Sequence, residues 1–372
     1  MRFVEGCAIL LSMWVLSGDG PGRLESSWAT GSDSVRMRDQ MDSSRGSEDE
    51  DPLDSPVSAA GWCEERRWVM GTQLRVVIVS GCAEIREVMD AVFDEAKRWD
   101  ALLSNYDPTS SLSQINANAG EFVPIPKDLY QYLERAKNDA EQTDGIFDIT
   151  IGPLVGAHRE GIAGADELAD ILEDVGIDKL EVRADEHGYY ARLARPGMAL
   201  DPGGDGKGVA VDAMVNKLRE AGVTRALIDF GGSTYYGLGT PRAEKGWTIA
   251  VSGEDGEILG TVVLKDRALS VSASSHRNLD PVEEGGSKMP AGHILDPRTG
   301  SLIVDTRTAV VVSVSGTAAE VLSTVLVVTG KKGLEFGDRF RHTAAAVFEP
   351  AKKPASSGEF KRYFDRNADF RF

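Results

Sequence analysis

The stretch from Leu200 to Asp212 places glycines and charged side chains directly before a helical pattern, and it reads LDPGGDGKGVAVD. A strand, a glycine-rich turn and a helix in this order can present backbone N–H groups and a lysine to a phosphate or diphosphate group. The spacing fits neither the GxxxxGK[ST] loop nor the GxGxxG fingerprint. The stretch therefore predicts either a phosphate site around Lys207 or a turn whose glycines let a helix pack against a strand.

His293 differs from the other four histidines because it lies in a loop bounded by glycine and proline, with Asp296 and Arg298 as charged neighbours. An imidazole titrates near neutral pH, so it could remove the proton from a substrate hydroxyl as a general base. The alternative interpretation is a structural histidine that hydrogen-bonds within its own loop.

Glu320 and Thr324 are four residues apart in a predicted helix, Thr317–Val328, so their side chains share one face. A carboxylate and a hydroxyl are hard oxygen ligands, which suit a Mg²⁺ ion that bridges phosphates. An exposed glutamate and a threonine bonded to its own helix would explain the same pair without a metal.

Tyr106 follows a predicted helix in a polar loop, where its ring could stack on a planar ligand or anchor the loop at the surface. Asp148 lies between Phe147 and a Gly-Pro turn, where it could bind a ligand or cap a helix. Together the candidates call for a planar, phosphate-bearing ligand, a divalent cation and a hydroxyl or water nucleophile.

The elements that must position these residues are strands and helices without regular alternation. Apolar side chains recur every three or four residues over Ala83–Leu103 and Pro126–Gln142, which predicts two amphipathic helices. Runs rich in valine and isoleucine predict strands, and the three short runs between Trp247 and Ser272 predict an antiparallel sheet. The mixture predicts an α+β fold rather than a Rossmann sheet. The remaining predicted strands are Trp68–Ser80, two or three within Lys179–Leu200, Arg225–Phe230, Thr308–Val314 and Thr343–Phe348.

The bulk composition limits the partners and the compartment. The chain has 372 residues and a net charge of -18, which argues against nucleic-acid binding because a phosphate backbone would be repelled. Its three cysteines have no metal-binding spacing. Cys63 and Cys82 predict either one disulfide in an oxidising compartment or two unrelated buried thiols.

Four segments follow from the pattern along the chain. Residues 1–20 contain a short apolar stretch after Arg2, which is compatible with an export signal. Residues 21–60 are acidic and lack apolar periodicity, so they predict a disordered linker. We expect a catalytic domain over residues 61–350 and a tail or an edge hairpin over residues 351–372. An exported or periplasmic protein, with a membrane-associated form as one option, is the expectation, and a cytoplasmic protein is the alternative.

Several short motifs, in this order along the chain, resemble the ApbE family. They span about Trp68 to Gly330 and include the helix with Thr324. The others are Met70-Gly71-Thr72, Ser104-Asn105-Tyr106, Gly145-Ile146-Phe147-Asp148, Gly152-Pro153-Leu154, Asp201 with Gly206-Lys207-Gly208 and Asp212, Gly231-Gly232, and His293-Ile294 with Asp296-Pro297-Arg298-Thr299-Gly300.

The resemblance implies an FAD:protein FMN transferase that uses Mg²⁺. Such an enzyme cleaves the diphosphate of FAD and attaches FMN through a phosphoester bond to a serine or threonine of an acceptor protein, such as a membrane redox subunit. Some members instead hydrolyse FAD to FMN and AMP, and a catalytically impaired flavin-binding protein is a third hypothesis. The implied fold has antiparallel sheets flanked by helices, with the FAD site in a cleft between the sheets.

The resemblance also assigns residues by position. It makes His293 the base that deprotonates the acceptor hydroxyl. It also assigns the Gly204 carbonyl, Glu320 and Thr324 as ligands of the metal. The implied FAD contacts are Met70, Tyr106, Ile146, Phe147, Asp148, Asp201, Lys207 and Ile294.

Some positions depart from the family pattern. Glu320 stands where Asp is usual and is longer by one methylene, so it reaches Mg²⁺ only after a small shift, or misses it. Asp205 stands where an apolar residue is common, and an acid there disfavours a diphosphate unless it points away. Ser233 follows Gly231-Gly232 where Asp is usual, and Val271-Ser272-Ala273 replaces Thr-Ser-Gly.

Overall fold

A computed structural model describes residues 61–161, 165–241, 245–253, 256–274, 294–303, 305–350 and 352–365. The strands are β1 (Cys63–Val69), β2 (Thr72–Ile78), β3 (Val123–Ile125), β4 (Leu180–Asp185), β5 (Gly188–Leu193), β6 (Ala226–Phe230), β7 (Thr234–Leu238), β8 (Trp247–Ser252), β9 (Ile258–Leu264), β10 (Arg267–Ala273), β11 (Thr308–Ser313), β12 (Ala344–Phe348), β13 (Ala355–Ser356) and β14 (Phe364–Asp365). The helices are α1 (Cys82–Leu103), α2 (Ser111–Ala117), α3 (Lys127–Gln142), α4 (Gly152–Arg159), α5 (Ala165–Leu172), α6 (Gly206–Glu220) and α7 (Gly316–Thr329). None of the helices in these ranges is long and apolar enough to cross a membrane.

The largest element is an eight-stranded antiparallel sheet in the order β1-β2-β6-β7-β10-β11-β12-β13. Two three-stranded sheets, β14-β9-β8 and β3-β5-β4, accompany it. Helices and antiparallel sheets are therefore mixed, which confirms the predicted α+β class.

Both faces of the large sheet are covered, which explains why its central strand β11 has apolar residues on both faces. In β11, Ala309 and Val311 face a core shared with α1, α6 and α7, whereas Val310 and Val312 face the opposite core. That opposite core is shared with β8 and β9 and is centred on Trp247, whose side chain is fully buried. The molecule thus has a small sheet, a large sheet and a helical layer packed on one another.

Local differences from the predicted elements have simple causes. The predicted strand Trp68–Ser80 is a hairpin of β1 and β2, because Met70 and Gly71 both take positive φ angles and reverse the chain. The polar loop predicted after α1 contains α2, whose first turn is capped by the Ser110 hydroxyl accepting from the Ser113 amide. The predicted strand Ala268–Ser272 lies in the large sheet as β10, while β8 and β9 lie in a separate sheet.

Cys63 and Cys82 form a disulfide, which selects one of the two predictions for this pair. The bridge joins the first residue of β1 to the first residue of α1, with the Cα atoms 4.9 Å apart. It therefore fixes the edge hairpin of the large sheet to the helical layer.

Helices α6 and α7 approach each other closely where both carry glycine. A methyl group at Gly208 would lie 2.6 Å from the backbone of Gly316, so only glycine allows this contact. Asp212 on α6 then binds the start of α7, accepting from the Gly316 amide at 2.6 Å and from the Ser315 hydroxyl at 2.6 Å. The close contact at Gly208 thus joins two helices, whereas the predicted packing turn was one of a helix against a strand.

We expect Gly208→Ala to lower the free energy of unfolding by about 1–3 kcal/mol, because the added methyl group must push α6 and α7 apart. Gly156→Ala is the matched control, since its new carbon would meet no heavy atom within 4 Å. That control should be neutral or stabilising by less than about 1 kcal/mol, as usual for alanine in a helix. Urea unfolding followed by circular dichroism measures both, and equal stability of the two variants would contradict the packing argument.

Candidate active site

A cleft of about 550 Å³ opens on the helical side of the large sheet. Its walls come from β10, the first turn of α6, one face each of α4 and α7, and four loops around Phe147, Gly203, Ser233 and Ile294. The expectation of a cleft between the sheets is wrong, because β10 is the one strand in the described lining. The space between the stacked sheets is filled by apolar side chains such as Trp247 and Val310.

The cleft brings together most of the residues that the sequence singled out. The lining residues assigned to FAD or metal are Ile146, Phe147, Asp148, Asp201, Gly204, Lys207, Ile294, Glu320 and Thr324.

Three backbone amides of the glycine-rich stretch are engaged within the protein, and the phosphate site around Lys207 stays a prediction. The Gly203 amide donates to Asp201 Oδ1 at 2.7 Å, and the Gly206 amide donates to the Pro202 carbonyl at 2.8 Å. The Gly208 amide donates to Glu320 Oε2 at 2.6 Å. These three amides therefore already have acceptors, whereas the Lys207 side chain lines the cleft and can meet an anion there.

The carboxylate of Glu320 is buried and has three donors. Its Oε1 accepts from Lys207 Nζ at 2.9 Å and from the Thr234 hydroxyl at 2.5 Å, and its Oε2 accepts from the Gly208 amide. The side chain is 6% exposed, against 29% for Lys207. Glu320 is therefore neither an exposed surface glutamate nor a free carboxylate, since a cation already lies against it.

Thr324 and Gly204 face each other across the cleft. A carbon added to Gly204 would lie 3.8 Å from Thr324 Oγ1 and 3.0 Å from the Phe147 ring, so a glycine keeps this space open. Within the part of the chain that the structure describes, the Thr324 hydroxyl has no hydrogen-bond partner, which leaves it available to a ligand. The prediction that Glu320 and Thr324 share one helix face agrees with both lining the cleft.

Asp205 points away from the cleft. Its side chain is buried beneath α6, where Oδ1 accepts from the Tyr132 hydroxyl at 3.0 Å. Its Oδ2 has no hydrogen-bond partner among the described residues. Desolvation by burial is the main cause that raises the pKa of Asp205 to about 8, and the nearby charge of Glu320 adds to it. At neutral pH the carboxyl is therefore mostly neutral and does not repel an anion in the cleft.

Asp148 and Asp201 border the cleft but hold their own loops. Asp148 accepts from the Thr150 amide and hydroxyl at 2.7 Å, and from the Ile177 amide at 2.8 Å. Burial raises the pKa of Asp148 above its ordinary value. These bonds fix the backbone conformation of the loop that carries Phe147. Asp148 therefore has a structural role in this wall of the cleft in addition to lining it.

Tyr106 lies in a neighbouring cleft of about 490 Å³, which shares Val155, Arg159 and Asp201 with the first. Its ring is 81% exposed. Arg159 Nη2 donates to the Tyr106 hydroxyl at 3.1 Å, and the guanidinium carbon lies 5.6 Å from the ring centroid. The two clefts are thus neighbours at their shared residues, and the second carries an exposed aromatic ring beside a cation.

Two assigned residues are outside this cluster. Met70 lies in the turn between β1 and β2, where its amide donates to Asp100 Oδ2 at 3.0 Å, and it lines neither of the two clefts described here. His293 lies outside the described residues, although its neighbour Ile294 lines the cleft. Both assignments stay predictions.

The sequence reasoning missed several polar residues of the site. His158 and Arg159 end α4 and line the cleft, and His158 Nε2 lies 3.0 Å from the Gly300 carbonyl oxygen. Two consecutive basic residues at the end of a short helix after a Gly-Pro turn were a usable signal. Thr234 gave no such signal, since it is 86 residues from Glu320 in the chain.

The model of the ApbE family matches residues 70–348, which is more than half of the chain. The chain belongs to the ApbE family. It is 31% identical to the FAD:protein FMN transferase of Klebsiella pneumoniae (strain 342) over 216 residues, and 31% identical to that of Treponema pallidum (strain Nichols) over 178 residues. These segments cover 56% and 45% of this chain but 65% and 49% of the two relatives, which is less than two thirds of their length.

The fold of this family member matches a solved ApbE structure over most of its length. The crystal structure of the ApbE protein from Thermotoga maritima superposes with a TM-score of 0.72 at 23% identity. The match covers 82% of this chain and 99% of that chain. At this identity the match shows that the two proteins share a fold.

We expect Asp205→Asn to flatten the pH dependence of stability. Between about pH 4 and pH 8 native Asp205 holds a proton that the unfolded chain has lost, so the free energy of wild-type unfolding falls as pH rises. Relative to wild type, the variant should gain up to about 1.4 kcal/mol per pH unit between about pH 5 and pH 7.

Urea unfolding at several pH values measures this difference, and Asp338→Asn on the exposed surface is the control. A stability difference between Asp205→Asn and wild type that stays constant with pH would show that Asp205 is ionised in the folded protein.

Proposed function

We propose that this protein is an FAD:protein FMN transferase that transfers FMN from FAD to a serine or threonine of an acceptor protein. The observation that carries the proposal is the convergence of six of the eight residues assigned to FAD, and all three assigned to metal, on one cleft. These residues come from segments that are up to 178 positions apart, from Ile146 to Thr324, so the fold alone brings them together. The activity printed for the Klebsiella and Treponema relatives supports the same reaction.

The donor set of the cleft fits Mg²⁺. Gly204 can offer a backbone carbonyl, Thr324 a hydroxyl without another partner among the described residues, and Glu320 a carboxylate, and all are hard oxygen ligands. The three bonds to Glu320 use part of its capacity, since a carboxylate accepts about four hydrogen bonds. Bound there, Mg²⁺ would neutralise the charge that develops on the diphosphate during transfer.

The remaining roles belong to the side chains of the chain itself. The Lys207 ammonium reaches the cleft from the first turn of α6 and can bind a phosphate oxygen of FAD. The apolar surfaces of Ile146, Phe147 and Ile294 can hold a flat ring system away from water. Tyr106 offers an exposed ring for stacking where the second cleft begins. His293 would take the proton of the acceptor hydroxyl, as the family motif implies.

We also propose that the protein works outside the cytoplasm, with a membrane redox subunit as the acceptor. The Cys63–Cys82 disulfide supports an oxidising compartment, where such bridges persist. The apolar stretch after Arg2 supports export.

Covalent flavin transfer provides the direct test. The purified chain with FAD, Mg²⁺ and a panel of candidate acceptor domains should give a fluorescent acceptor band that survives denaturing electrophoresis. His293→Ala should reduce the rate of labelling by at least about 100-fold, because a general base contributes about that much. His187→Ala on an exposed turn is the control and should label at the wild-type rate.

Consumption of FAD to FMN and AMP with no labelled acceptor in the panel would overturn the transferase and indicate a hydrolase. Neither labelling nor FAD consumption would indicate a flavin-binding protein without this activity.

A further inference from the structure

The Glu320 carboxylate and the Lys207 ammonium form a contact that a metal ion on Glu320 Oε1 would have to disrupt. Lys207 Nζ lies 2.9 Å from Oε1, the same oxygen that accepts from the Thr234 hydroxyl. Two cations cannot share one carboxylate oxygen at bonding distance without strong repulsion, least of all where little water screens them. The carboxylate that was assigned to the metal is therefore already neutralised by a lysine.

The Lys207 side chain is partly exposed and can move to another anion, whereas the Glu320 side chain is buried and fixed. Lys207 is 29% exposed and borders the cleft, so a short movement of its flexible stem brings the ammonium to a phosphate group there. Glu320 is 6% exposed and is held on α7. When Lys207 leaves, a buried charge would be stranded unless other donors hold it.

Thr234 and the Gly208 amide are those other donors. The Thr234 hydroxyl donates to Oε1 at 2.5 Å from β7, and the Gly208 amide donates to Oε2 at 2.6 Å from α6. They approach from two rigid elements, so the carboxylate keeps its position with or without the lysine. A lone pair exposed on Oε1 by the departure of Lys207 is then available to a cation.

We propose that Lys207 is a counter-ion exchanged between Glu320 and the diphosphate of the substrate, and that Thr234 is the positioning residue that holds Glu320 during the exchange. The divalent cation and the diphosphate then bind cooperatively. A bound anion draws Lys207 away from Glu320, and a cation bound to Glu320 displaces Lys207 toward the anion. By linkage the two affinities rise by the same factor. This inference rests on the proposed function only for the identity of the two ligands.

The first experiment measures Mn²⁺ binding to the full chain by electron paramagnetic resonance, with and without saturating FAD. A His293→Ala background limits consumption of FAD, and protein-free samples correct for Mn²⁺ bound to FAD itself. Lys207→Gln removes the competing charge but keeps a hydrogen-bond donor. Without FAD it should bind Mn²⁺ about tenfold more tightly than the background protein, and with FAD this gain should shrink to less than about threefold.

Two results would overturn the exchange. An equal gain in both states would mean that Lys207 acts as a fixed nearby charge, and no gain in either state would mean that Glu320 does not bind the cation. Because the readout is metal binding and not turnover, these outcomes are distinct from the failure of FMN transfer.

The second experiment tests Thr234 with a pair of variants. Thr234→Val keeps the shape and removes the hydroxyl, and it should weaken Mn²⁺ binding about tenfold, the effect expected for a lost hydrogen bond to a charged group. Thr234→Ser keeps the hydroxyl and should stay within about threefold of wild type. Melting temperatures of both variants report on folding. Equal Mn²⁺ affinity of the valine and serine variants, both folded, would show that Thr234 is merely structural.

Discussion

One buried carboxylate ties the helical layer to the large sheet. Glu320 belongs to α7, and its three donors belong to the first turn of α6 and the start of β7. A carboxylate without donors at this depth would be strongly destabilising, so the three elements must meet with little freedom. The close contact of Gly208 with Gly316, and the bonds from Asp212 to the start of α7, serve the same arrangement. The same bonds and contacts therefore determine both how α6 packs on α7 and the geometry of the cleft.

The charges around the first turn of α6 are balanced on both sides of the backbone. On the cleft side, Lys207 neutralises Glu320. On the buried side, Asp205 avoids a second negative charge by keeping its proton, with a pKa of about 8. An ionised Asp205 would lie next to the residues that we propose bind the substrate, and it would weaken the attraction of Lys207 for a diphosphate. The acid that looked unfavourable in the sequence is tolerated because it is buried, neutral and bonded to Tyr132.

Patterns local in sequence could be predicted, and pairings distant in sequence could not. Helical spacing alone placed Glu320 and Thr324 on one face, and the amphipathic pattern of α1 gave its ends to within a residue. The polar β1 was missed because an edge strand with charged residues has no apolar alternation to detect. The use of the Gly208 amide was open in the sequence, because its acceptor, Glu320, is 112 residues away. Tertiary contacts decide which backbone amides remain free to bind a ligand.

The departures from the family pattern are physically connected rather than scattered. Glu320 and Asp205 are two of the positions that the sequence analysis set apart from the family pattern, and the charge of the first contributes to the raised pKa of the second. Shortening Glu320 by one methylene would pull its carboxylate away from at least one of the Thr234 and Gly208 donors. An apolar residue at position 205 would leave the buried Tyr132 hydroxyl without the acceptor that it has now. Each residue thus fits the neighbours of this chain, so a return to the family residue at either position alone would break a bond that the present structure makes.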